Sequence, residues 1–337
     1  MIYPDFIKKG DTIGITAPSE GNKDPLDYIR LDHGIETLQG LGYHTAETPN
    51  VRMSKLGRSS DGNTRAVQLA DLFCRDEVKW IISAKGGDFL CEMLSYTDYS
   101  LLKEHPKWIQ GYSDNTSLLF ILTTCCDIAT IYGNNFNDFG MAEWHESIQN
   151  NYKIVTGDWI IQESFGWYED GFHEKVSGLE GYVPEAPVLW ANARNERKLT
   201  MEGRLIGGCL DVLLMLCGTR FDYVKEYINR YKEDGILWYL ESFDLSSEAL
   251  IRGLWQLKEA GWFQYVKGFC FGRPCMHHTD YGIPYQEAVM HMLEEFNVPV
   301  ILDADIGHKS PQFTVINGAM GRFESEGGKG SLAMWKK

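Results

Sequence analysis

WIQGYSDNTSLLF, residues 108–120, sets an apolar run against a glycine, a serine and an acid before a helical pattern begins. Read as strand, corner and helix, it places Ser113 at the apex of a tight turn with a helix N-terminus behind it. Such a corner is either an ordinary turn whose serine caps the helix, or one that presents a nucleophile. In the second case helix N–H groups and the positive end of the macrodipole stand ready to meet an oxyanion. The G-x-S-x-G spacing would put glycine at 115, and Asn115 stands there instead. The corner alone leaves both readings open.

Outward from the corner, short β-rich runs alternate with helical patterns. DTIGITAP (11–18), YHTAETP (43–49), VKWIISAKGG (78–87), KWIQGYSD (107–114) and ATIYGNN (129–135) read as strands. Between them IRLDHGIETLQGLG (29–42), NTRAVQLADLFCRD (63–76), FLCEMLSYTDYSLLKEH (89–105) and TSLLFILTTCC (116–126) read as helices, the second with Val67, Leu69, Ala70, Leu72 and Phe73 as its apolar set. Strands separated by helix-length segments imply crossover connections and a parallel sheet in an N-terminal α/β domain over residues 1–140. No GxGxxG follows the first strand, which argues against a dinucleotide site.

Between residues 141 and 203 periodicity dissolves into Trp-, Gly- and Pro-rich sequence, expected to be a linker and an extended aromatic loop. A second domain is expected over 204–337. There LIGGCLDVLLMLCGT (205–219) reads as a loop entering a helix, and GILWYLE (235–241) as a buried strand. SSEALIRGLWQLKEAG (246–261) has the spacing of an amphipathic helix, followed by VKGFCFGRP (266–274) as a strand. YQEAVMHMLEEF (285–296) is helical, VPVILDAD (298–305) a strand, and the Gly-broken tail from Gln312 a set of β-hairpins.

With 337 residues, a net charge of −15 and no Lys/Arg-rich run, the chain is a poor partner for nucleic acid or an anionic membrane surface. No secretory layout opens the sequence, and its longest apolar runs are too short to span a bilayer. The eight cysteines contain no CxxC and sit in apolar segments, as buried free thiols of a cytoplasmic protein would.

Three strand ends carry reactive side chains, at the sheet edge where open α/β folds place ligands. Ser113 is the first. Gly86 and Gly87 end the preceding strand, either as an ordinary turn or as backbone that approaches a substrate closely. Glu241 ends a run of apolar residues, where a carboxylate is costly unless paired or used. His308 lies just past the strand of VPVIL, beside Gly307. Serine, acid and histidine make a nucleophile, an orienter and a base, with Asp303 and Asp305 as rivals of Glu241. The two domains would then share one site. Cys275, His277, His278 and Asp280 form the one cluster that could suggest a metal, but they lack a second ligand pair at recognisable spacing.

Taken in order, GDTIGITAPS, the double glycine, GYSDNT, LIGGCLDVL, the strand-borne Leu-Glu and DADIGH resemble the LD-carboxypeptidase family of serine peptidases along essentially the whole chain. The resemblance implies a flavodoxin-like N-terminal domain, a β-rich α+β C-terminal domain, a homodimer and no cofactor or metal. It implies a triad of Ser113, Glu241 and His308, with an oxyanion hole near Gly87 and at Asp114. Gly86, Asp88, Gly207 and Gly208 are the further candidates for substrate contact. Within the family, DFLCEML after the double glycine and the long aromatic segment look like the microcin C self-immunity branch, which hydrolyses aminoacyl-nucleotide amides. In that branch an aromatic residue of this loop stacks on a nucleobase, and Trp190 is the candidate here, the alternative being packing onto the protein surface. The competing expectations are a murein tetrapeptide carboxypeptidase and a non-catalytic binding module on the same fold.

Overall fold

The computed structural model describes residues 1–337 as two compact units. The first comprises Met1–Trp159 with His173–Tyr182, and the second Ile160–Phe172 with Val183–Lys337. The stretch 141–203 is thus divided between the two.

In the first unit five strands, β1 (Thr12–Thr16), β2 (His44–Glu47), β3 (Val78–Ser83), β4 (Trp108–Gly111) and β5 (Thr130–Tyr132), lie in the order β2-β1-β3-β4-β5. Every neighbouring pair is parallel. β1, β4 and β5 are wholly buried and apolar or β-branched throughout most of their length, as strands covered on both faces must be. Helices α1 (Pro25–Gly40), α2 (Gly62–Cys74), α3 (Cys91–Leu94), α4 (Tyr99–Glu104), α5 (Thr116–Thr124) and α6 (Glu146–Val155) complete the unit. Local chemistry sets where they start: Asp61 accepts the Thr64 N–H at 2.9 Å to cap α2, and Asp98 accepts those of Ser100 and Leu101 to cap α4.

The second unit is built on an eight-stranded sheet. Its strands are β6 (Ile161–Glu163), β9 (Ala191–Asn192), β10 (Lys198–Cys209), β11 (Ile236–Glu241), β12 (Val266–Gly272), β13 (Val300–Ala304), β15 (Met320–Glu326) and β16 (Lys329–Trp335). They run in the order β6-β16-β15-β10-β11-β12-β13-β9. The central four are mutually parallel, and antiparallel strands flank them on both sides. Two further strands, β7 (Trp167–Tyr168) and β8 (Ala186–Pro187), pair with each other, and β14 (Val315–Asn317) is a short strand of the tail. Helices α7 (Leu210–Leu216), α8 (Val224–Arg230), α9 (Ser247–Glu259) and α10 (Tyr285–Leu293) follow β10, β11 and β12. Leu250, Leu254 and Leu257 are the buried stripe of α9.

Several expectations are corrected here. The stretch 141–203 is not devoid of regular structure: α6 falls within it, capped by the His145 ring accepting the Ser147 N–H, and buries Ile148, Ile154 and Val155. Its polar Asn-rich face hid those three apolar positions. LIGG is not a loop, since Gly207 and Gly208 pair with Tyr239 and Leu240 inside the parallel core. A Cβ on Gly207 would come within 1.7 Å of the Tyr239 carbonyl oxygen, so glycine is what lets these strands approach. The segment 89–105 forms two short helices instead of one. All eight cysteines are free, but Cys74 and Cys91 are exposed. Val67 also faces outward, at 60% exposure, whereas Leu69 is fully buried. No helix is long and apolar enough to cross a membrane.

These two neighbours on α2 calibrate the core. Leu69→Ala should lower unfolding free energy by about 2–5 kcal/mol and Val67→Ala by less than about 0.5, read from urea denaturation.

Candidate active site

Ser113 stands where β4 turns into a single 3₁₀ turn ahead of α5, and its φ is +64°. A left-handed serine at a strand-to-helix corner is strained, as in a nucleophile elbow. Gly86 faces it: a Cβ there would lie 2.9 Å from Ser113 Cβ and 3.0 Å from its Oγ. Gly87, at φ +148°, has equally little room, its Cβ position being 2.4 Å from Ser19 Oγ. The double glycine is therefore needed sterically beside the serine.

Asn115 has its own reason to replace the expected glycine. Its Nδ2 donates to Lys85 O at 3.0 Å, Tyr112 O at 3.1 Å and Asn135 Oδ1 at 3.2 Å. One amide thus ties together the chain leaving β3, β4 and β5. The neighbouring Asp114 side chain is buried, accepting from Ser19 Oγ and, at 2.8 Å, from the Leu90 N–H. Burial pushes its carboxyl pKa up, partly offset by these two hydrogen bonds. Asp88 is exposed.

In the second unit Glu241 is the last residue of β11 and is fully buried. Its Oε2 lies 2.9 Å from His308 Nδ1. Of the rivals for this place, Asp305 is engaged elsewhere, meeting Arg273 at 2.8 Å and the Trp190 indole N–H at 3.0 Å, and the contact at His308 Nδ1 is made by Glu241 and not by Asp303. Glycine again supplies the space. A Cβ on Gly307 (φ +97°) would fall 2.6 Å from Glu241 Cγ and Oε2, and one on Gly272 would fall 2.0 Å from Ile306 O. The Phe243 ring packs on His308 with centroids 4.8 Å apart, and Phe172 lies 6.2 Å from Phe243. Asp211 holds Phe243 there by accepting the N–H groups of Phe243 and Asp244 at 2.9 and 3.0 Å. Neither phenylalanine was identifiable from spacing, although an aromatic two residues past the strand-borne Glu241 is a signal that could be sought.

Trp190 does not have the exposed face expected of a nucleobase platform. It is 4% exposed, packs against Phe313 and Phe323, and its indole N–H is bound to Asp305. Phe172, at 65% exposure, has the free surface that Trp190 lacks. Gly207 donates its N–H to Asn317 Oδ1 at 3.1 Å and so is committed within the fold. Around Cys275 no group of three or more His, Cys, Asp or Glu side chains is arranged to hold a metal ion. Instead His277 Nε2 is 2.9 Å from Ser247 Oγ, and burial pushes the Cys275 thiol up to about 11. A cavity of about 870 Å³ in the first unit is lined by Lys23, Tyr28, Arg52, Leu56, Arg58 and Asp61 and excludes Ser113. Arg52 and Arg58 are already paired with Glu47 and Glu92.

Comparison with known proteins places the chain in a family. Residues 13–133 match the LD-carboxypeptidase N-terminal domain and residues 202–323 the LD-carboxypeptidase C-terminal domain. A probable murein peptide carboxypeptidase of Bacillus subtilis is 27% identical over 94% of this chain and 89% of its own length. The microcin C7 self-immunity protein MccF of Escherichia coli is 26% identical over 91% of this chain and 88% of its own. Among solved structures, an MccF-like protein from Bacillus anthracis superposes with a TM-score of 0.83 at 24% identity, covering all of both chains. MccF in complex with aspartyl sulfamoyl adenosine superposes at 0.79, with 22% identity over 100% of this chain and 99% of that one.

The glycines offer a direct check on the packing. Gly86→Ala and Gly307→Ala should each lower hydrolytic rate by about a hundredfold or more, since displacements near 1 Å are that costly. Circular dichroism should show both variants folded.

Proposed function

This chain belongs to the LD-carboxypeptidase family of serine peptidases, and from that premise we propose that Ser113, Glu241 and His308 act together on an amide bond. The observation that carries the reading is the buried contact between Glu241 Oε2 and His308 Nδ1. It commits Nδ1–H to the carboxylate, so Nε2 is the nitrogen that takes the serine proton. Ser113 Oγ then bonds to the substrate carbonyl carbon, and negative charge collects on the carbonyl oxygen. Backbone N–H groups near Gly87 and at Asp114 receive that charge, a contribution of about 3–4 kcal/mol per donor. The imidazolium returns its proton to the departing amine as the C–N bond breaks, leaving an acyl-serine. A water activated by the same histidine releases it.

The substrate class we infer is an aminoacyl nucleotide or a close mimic. MccF relatives are described with adenosine monophosphate, aspartyl sulfamoyl adenosine and glutamyl sulfamoyl guanosine. The exposed Phe172 ring, continued by Phe243 toward His308, is a surface on which a base can stack. A second reading, removal of a terminal residue from a murein peptide, is supported by the Bacillus subtilis relative of that name. The strand order β2-β1-β3-β4-β5 supports a flavodoxin-like description of the first unit. Free thiols support a cytoplasmic setting, and homodimerisation rests on the family alone.

A fluorophosphonate probe should label the protein and leave Ser113→Ala unlabelled, with turnover in that variant down at least a thousandfold, on the order of other serine-nucleophile deletions. Labelling of both would remove Ser113 as nucleophile. Offered aspartyl sulfamoyl adenosine and a murein tetrapeptide side by side, the enzyme should cleave the first. Cleavage of the tetrapeptide alone would transfer the assignment to the second reading. Phe172→Ala should raise KM for the nucleotide substrate about tenfold, the loss of one base–aromatic stack.

A further inference from the structure

We propose that Arg273 is a positioning residue for the histidine base, a guanidinium clamp that sets the segment 303–313 and with it His308. The inference rests on the reading of His308 as the base of Ser113. Arg273 directly follows β12 and is buried to 4% exposure. Its Nη1 stands 2.8 Å from Asp305 Oδ1 and donates to Asp303 O at 3.2 Å. Its Nη2 donates to Lys309 O at 3.2 Å and Pro311 O at 3.4 Å. The backbone N–H of Arg273 reaches Ala304 O at 3.3 Å. Carbonyls before and after His308 therefore converge on one cation.

Each part of the cluster has a physical reason. Beyond Ala304 the segment has left the sheet, and its buried carbonyls need donors from elsewhere. A planar guanidinium presents several donors in a fixed fork and can serve carbonyls on both sides of a loop; a lysine ammonium is a compact charge on a flexible stem. Asp305, fully buried, supplies the counter-charge and is itself fixed by the Trp190 indole N–H and the Phe165 N–H at 3.3 Å. Burial pushes its carboxyl pKa up, and Arg273 is the main opposing influence. Its carbonyl accepts the Phe313 N–H at 2.6 Å, closing the far end of the loop. The Tyr168 ring covers the guanidinium at 4.5 Å. Asp303 sits at φ +58°, a conformation that a non-glycine residue holds only when its surroundings enforce it.

The test is the rate at which a fluorophosphonate inactivates Arg273→Lys, resolved into maximal rate and probe affinity. The lysine variant should remain folded, with the maximal rate about tenfold to a hundredfold lower and the affinity unchanged. Arg273→Ala should lose more and recover part of its rate when free guanidinium is added. Leu254→Ala, destabilised through the core of α9, should keep the wild-type maximal rate, separating positioning from general damage. A wild-type maximal rate in Arg273→Lys would overturn the proposal, as would an equal loss in Leu254→Ala. If Arg273→Ala does not fold, the lysine variant alone decides. Failure of the probe to label wild-type protein would instead overturn the reading of Ser113 on which the clamp depends.

Discussion

The second unit depends on one contact, the 2.9 Å approach of Glu241 Oε2 to His308 Nδ1 at the carboxyl end of β11. A fully buried carboxylate is expensive unless it is paired, and nearly everything around it serves that pairing. Gly307 and Gly272 leave the volume that side chains would otherwise take from Glu241 and Ile306. Asp211 fixes the residues that follow the carboxylate, and the Arg273–Asp305 pair fixes those that flank the histidine. Phe243 then packs on the imidazole, limiting its freedom to turn.

The first unit solves a related problem with different means. Ser113, the proposed nucleophile, leaves a parallel sheet at a carboxyl end, in a conformation most residues avoid. Gly86 yields space to Ser113, and the Asn115 amide holds the ends of three adjacent strands at fixed spacing. Asp114, buried and doubly hydrogen-bonded, anchors the turn from below. In both units the candidate residues sit at or just past strand ends, and polar side chains brace the loops that follow.

Much of this was legible in the order of residues. The parallel strands announce themselves as continuous apolar runs, and Ser113, Glu241 and His308 each follow such a run. What was not legible depended on distance across the fold. Nothing in spacing separates Glu241 from Asp303 and Asp305 as partner of His308; only packing reveals that Arg273 and Trp190 claim Asp305. Trp190 is a stacking candidate only through the family resemblance, and its alternative, packing, is what Phe313, Phe323 and the backbone at Gly330 impose on it. Helix α6 escaped notice because few of its residues are apolar, and Gly207 looked like loop because glycine in a strand has the same sequence signature as a turn. Arg273 could not be found at all, since its partners span residues 303–311.

The central proposal is that Ser113 and His308 take part in one proton transfer. A double-mutant cycle on kcat/KM tests it most directly, using Ser113→Ala, His308→Ala and the pair together. Groups that act as one unit are strongly non-additive, so the double variant should be no slower than either single variant by more than about threefold. Multiplication of the two single losses in the double variant would contradict the account.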